Sequence, residues 1–114
     1  MNSSHAPNAD LAKPIAKAAA DNARVSRYMD SLVGRMDRLV EATTASDWAE
    51  VRRVSENLQR TGRNYGCPSI AQRAEKVCNE MDQPNNTLEI NRSVLRLIGA
   101  CGREQASRNP EASS

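Results

Sequence analysis

Side chains able to carry chemistry are few in this chain of 114 residues, and their placement narrows the options further. The single histidine is His5, close to the N-terminal end, so no Ser–His, Cys–His or His–metal constellation can form within the body of the chain. Cys67, Cys78 and Cys101 make no CxxC pair and have no histidine nearby. That pattern argues against a disulfide framework or a zinc site, and for small buried hydrophobes in a reducing compartment. No GxGxxG or Walker-type loop occurs; Gly62 and Gly66 stand four apart without a lysine. The paired carboxylates and ExxH motif of di-iron helices are also missing. The chain is expected to be no enzyme, to hold no metal and to need no cofactor.

What remains is a polar stripe of Arg52, Glu56, Gln59, Arg60 and Arg63, recurring at three and four residues on one side of a helical segment. One reading is a solvated face whose Arg52–Glu56 and Glu56–Arg60 pairs contribute about 0.2–0.5 kcal/mol each. The sharper reading is a docking surface for an acidic protein partner. Arginine supplies 13 of the 16 basic residues, and its planar fork suits carboxylate or phosphate.

The elements that position this stripe follow from composition and periodicity. With 16 alanines, no phenylalanine, three aromatic residues and few β-branched runs, helix is favoured over sheet. A formal net charge of +2 is not the basic body of a dedicated nucleic-acid binder. A nucleic-acid role would rest on Arg52, Arg53, Arg60 and Arg63, with no stacking aromatic among them. No apolar run approaches the ~20 residues of a membrane span, and the N-terminus lacks the apolar core of a signal peptide. A soluble, cytoplasmic protein of one domain is expected.

Residues 1–9 and 103–114 are polar and turn-rich and read as disordered tails around a domain spanning 10–102. Asp10 to Ala20 reads as a short extra helix capped by Asp10, with Pro14 in its first turn. From Asn22 to Thr44, Val25, Tyr28, Met29, Leu32, Val33, Met36, Leu39 and Val40 recur at three and four. Ser46 or Asp47 caps the segment 47–65, whose apolar side is Val51, Val54, Leu58, Thr61 and Tyr65. Gly66 ends it, and Cys67-Pro68 opens a helix that buries Ile70, Ala74, Val77, Cys78 and Met81. After a turn at 82–86, Thr87 caps a last helix carrying Ile90, Val94, Leu97, Ile98 and Cys101, which Gly102 ends. Short connections between amphipathic helices predict an all-α, up-and-down antiparallel four-helix bundle.

Residues 47–66, DWAEVRRVSENLQRTGRNYG, resemble the central helix of the histidine-containing phosphotransfer (HPt) domain, with a pattern close to D-W-x-x-L-x-x-x-A-H-x-L-K-G-x-A-x-x-x-G. Asp47, Trp48, Val51, Ser55, Leu58 and Gly66 match it, and the neighbouring helices 28–40, 70–81 and 88–98 are similar to that family's. The resemblance implies a four-helix bundle of two-component phosphorelay signalling. At the phosphoacceptor histidine, however, stands Glu56; Gln59 replaces the usual lysine and Arg60 the small residue that admits a receiver domain. A carboxylate cannot accept and return a phosphoryl group as a phosphoramidate. The expectation is therefore a pseudo-phosphotransfer adaptor that binds a receiver domain or a histidine kinase through Arg52, Glu56, Gln59, Arg60 and Arg63. The alternative is a small helical scaffold whose Val25–Val40 stripe pairs in a homodimer; a phosphotransfer protein acting through His5 is a third reading.

Overall fold

The longest apolar stripe of the sequence builds the longest element. In the computed structural model, which describes residues 5–84 and 86–108, four helices follow one another: α1 (His5–Thr44), α2 (Trp48–Asn64), α3 (Pro68–Met81) and α4 (Thr87–Arg108). Side-chain links fix their directions. Along α1 and α2, Tyr28 meets Thr61, Arg35 meets Asn57 and Arg38 meets Glu50, so the two run antiparallel. Gln59 with Glu75 and Arg52 with Asp82 set α3 antiparallel to α2 in the same way. Ser69 with Glu104 orients α4 against α3, and Gln105 with the Met29 carbonyl closes α4 back onto α1. Each helix packs on its two neighbours around a square, so the fold is an up-and-down four-helix bundle.

The core collects the stripes as periodicity dictates: Leu32 and Leu39 from α1, Val51 and Leu58 from α2, Ile70 and Val77 from α3, and Leu97 from α4 are all fully buried. Each such side chain stabilises the fold by about 1.5–3 kcal/mol relative to exposure. Tyr28 is buried at the edge of this core and stacks on Tyr65, with ring centroids 4.4 Å apart and planes 6° from parallel. None of the three cysteines is in a disulfide, all three are buried, and burial pushes the Cys101 thiol up to about 12. Most of the Val25–Val40 stripe is spent inside the bundle, which leaves only Val33 and Val40 exposed from it for pairing between protomers.

Helix ends follow local chemistry in two places. After α1, Asp47 N–H donates to the Ala42 carbonyl and Ser46 N–H to that of Thr43, with Ser46 in the left-handed region at φ 56°. After α2 the same bonds recur at Cys67→Gly62 and Gly66→Arg63, and Gly66, at φ 72°, takes that conformation without a Cβ penalty. Of the two cap candidates, Asp47 caps α2, its side chain accepting from Glu50 N–H.

Four expectations need correction. Helix begins at His5, so residues 5–9 are helical rather than tail, and Asp10 lies inside α1 instead of capping a short helix. No break separates 10–20 from 22–44; Pro14 sits within the continuous helix rather than in a first turn. α4 runs through Gly102 to Arg108, because Gln105 is anchored on Met29 and the last turns pack there. Thr87 is the first residue of α4, and the preceding Asn86 carbonyl accepts from Ile90 N–H while the Asn86 side chain turns back to Glu80. Residues 1–4 and 109–114, and Asn85 of the expected 82–86 turn, lie outside the described residues.

Candidate functional site

α2 presents the polar stripe because its opposite side is consumed by the core: Val51, Val54, Ser55, Leu58 and Gly62 are buried. Gly62 allows α3 to approach closely, since a Cβ there would stand 2.9 Å from the Ala71 backbone nitrogen. α3 therefore lies close along one edge of the stripe and reaches it with two carboxylates.

Of the five residues expected to form a site, four come together. Glu56, Gln59, Arg60 and Arg63, with Asn64, line one shallow open depression on α2. Arg52 stands apart, tied to Asp82 at 2.8 Å, and the Asp82 carboxylate beside it raises its pKa. Gln59 and Arg63 both donate to Glu75, at 3.2 and 3.0 Å. The intrahelical Arg52–Glu56 and Glu56–Arg60 pairs do not form. Glu75 of α3 and Asp82 at its C-terminal cap, facing α2 across the close seam, take the guanidinium groups instead. Glu56 is exposed, and neither its carboxylate nor the Arg60 guanidinium makes a hydrogen bond or ion pair among the described residues.

The charge of this face is thereby balanced: Arg52, Arg60 and Arg63 stand against Glu56, Glu75 and Asp82. Chemically it offers one free carboxylate and one free guanidinium one helical turn apart, which suits hydrogen-bonded protein contact rather than capture of a small anion. Behind it lies the Cys78 thiol, raised by burial and then by the negative charge of Glu56. No group of three or more His, Cys, Asp or Glu side chains among the described residues could hold a metal ion. No helix among them is long and apolar enough to cross a membrane.

Sequence reasoning missed a second polar surface, in the groove between α1 and α2. Two adjoining depressions there share Ser31 and Arg35 and gather Arg24, Arg27, Arg38 and Arg53. Glu50 pairs with Arg38 and Arg53, and Asp21 with Arg24 at 3.8 Å, so five guanidinium groups meet two carboxylates. Arg24 lies 5.6 Å over the Tyr65 ring and Arg35 5.7 Å over Tyr28, so both tyrosines are sandwiched within the protein. The signal was present as arginines at 24, 27, 35 and 38, which fall on one flank of α1. Compared with family models, with curated proteins and with solved structures, the chain matches none.

Proposed function

We propose that the chain is a non-transferring, HPt-like signalling adaptor that binds an acidic protein partner, a receiver domain or a histidine kinase, through the exposed face of α2. The observation that carries this reading is Glu56: exposed midway along α2, without an ion pair among the described residues, and flanked by Gln59, Arg60 and Arg63 in one depression. The position corresponds to the phosphoacceptor histidine of the family that residues 47–66 resemble. Contact survives the exchange of histidine for glutamate, whereas phosphoryl transfer does not. Because the face itself is charge-balanced, the attraction comes from Arg60, the cation free of ion pairs there, and from the arginine-rich α1–α2 groove beside it. A net positive groove adjoining a neutral contact face steers an acidic partner without being consumed in the contact.

Titration calorimetry against isolated receiver domains from the same genome tests this. Binding is expected for at least one of them, and Arg60→Glu with Arg63→Glu should weaken it by at least tenfold, about 1.4 kcal/mol. Binding indifferent to that double change overturns the surface assignment. Incubation with a phospho-donor and a phosphorylated receiver should leave the chain unlabelled; stable label on any residue, His5 included, overturns the adaptor reading.

A further inference from the structure

Every exposed large apolar side chain among the described residues lies on α1 or α4. Ile15, Val33 and Val40 on α1 are 67%, 48% and 51% exposed, and Leu88 and Leu95 on α4 are 62% and 68% exposed. Val40 and Leu95 meet at the seam between α1 and α4, and Val33 and Leu88, seven residues from them, lie on the same flanks of their helices. Along that seam runs an open groove lined by Val40, Thr43, Asn91, Leu95 and Ile98. Thr43 Oγ1 and Asn91 Oδ1 are buried in its walls with no hydrogen-bond partner among the described residues. Contiguous exposed apolar surface rimmed by polar residues marks a contact site rather than a solvated one.

The rims identify the occupant. Beyond Val33 and Val40, Asp30, Asp37 and Glu41 recur at seven and four as an exposed acidic row on α1. Beyond Leu88 and Leu95, Arg92, Arg96 and Arg103 recur at four and seven as an exposed basic row on α4. Arg103 lies back along its helix, since a Cβ on Gly99 would meet its guanidinium at 3.2 Å. Arg92 is shared with Glu89 at 2.8 Å, whereas Arg96 and Arg103 have no ion pair among the described residues. One edge of the apolar face is thus negative and the other positive.

We propose that this face closes against a second copy of the chain, α1 of one protomer opposite α4 of the other. A two-fold axis parallel to the helices sets the acidic row of each protomer against the basic row of its partner, twice. It also brings Val33, Val40, Leu88 and Leu95 of both copies into one buried centre. A two-fold contact uses the same patch on both subunits and must be self-complementary, as a face with one acidic and one basic edge is. An unrelated partner would need both rows in reversed order. The alternative two-fold axis, perpendicular to the helices, would place acidic row on acidic row and is disfavoured by like charge. The α2 face stays open in the dimer, so this contact stands independently of receiver binding.

Sedimentation velocity on the full chain tests it. The wild type is expected to sediment as a dimer at micromolar concentration and Leu95→Glu as a folded monomer by circular dichroism. Two charge-reversed proteins then probe the geometry: Asp37→Arg with Glu41→Arg, and Arg92→Glu with Arg96→Glu. In each protein alone, like-charged rows face one another, and both should be monomeric. Mixed one to one, each row meets its opposite and a heterodimer should form. A wild type that stays monomeric up to high micromolar concentration, variants that dimerise alone, or a mixture that stays monomeric overturns the proposal. Receiver binding retained by both variants separates its failure from that of the adaptor reading.

Discussion

Glu50 joins two helices through one carboxylate. It accepts from Arg53 within α2 and from Arg38 of α1 at 3.1 Å, and these bonds hold its pKa down to about 2 from an ordinary 4.5. A depressed carboxylate favours the folded state in its ionised form. Its contribution is fully present above about pH 4.5 and is lost as the pH falls from there through about 2. Glu80, lowered by Lys76 and then by Asn86, acts in the same direction. Glu50→Gln should leave Arg38 and Arg53 unopposed, lower Tm near neutral pH, and flatten the acid limb of the Tm–pH curve. Thermal denaturation in steps of half a pH unit measures this, and an acid limb of unchanged steepness would show that Glu50 carries none of it.

At the scale of the helix pair, the α2 face owes its shape to Gly62. Alanine there would gain up to about 1 kcal/mol in helix propensity. Its methyl, however, would meet the Ala71 backbone nitrogen at 2.9 Å and the Ala71 Cβ at 3.2 Å, and two helix backbones cannot yield as a flexible side chain does. Overpacking of this kind typically costs 1–3 kcal/mol, so Gly62→Ala should be destabilising in urea denaturation despite its better propensity. Parting α2 from α3 should also lengthen the Arg63–Glu75 and Arg52–Asp82 pairs and free their charges. The helices themselves were legible in the sequence because apolar spacing and burial answer to one period, as Leu32, Leu39, Val51, Leu58 and Leu97 illustrate. The end of α4 was not, since what carries helix past Gly102 is Gln105 bonded at 2.7 Å to a carbonyl 76 residues away. The stripe from Arg52 to Arg63 was legible as a face. Its partners were not, because Glu75 and Asp82 belong to it only once α3 has docked.

Across the whole molecule, extents of 74 × 31 × 17 Å are set by α1 rather than by the bundle. A helix of 40 residues is about 60 Å long, roughly twice the length of α2 or α4. Every residue from Pro14 to Arg24 is exposed, so this stretch of α1 extends from the bundle as an arm that adds little to the core. Pro14 withholds one backbone donor within it, a helix-interior cost of about 3 kcal/mol that the exposed residues from Pro14 to Arg24 do not offset by burial. Helix of this length without packing is marginal in water. Removal of residues 1–20 should therefore spare the bundle. The cut leaves Asp21 at the new end, where its carboxylate can cap α1, and keeps Arg24 over the Tyr65 ring. The expected change in unfolding free energy is below about 0.5 kcal/mol, and the shift in Tm below about 4 °C. Helical ellipticity per molecule should fall by no more than the arm's share while the cooperative transition persists. A truncated chain that melts without cooperativity, or many degrees lower, would show instead that the arm folds back to complete the core.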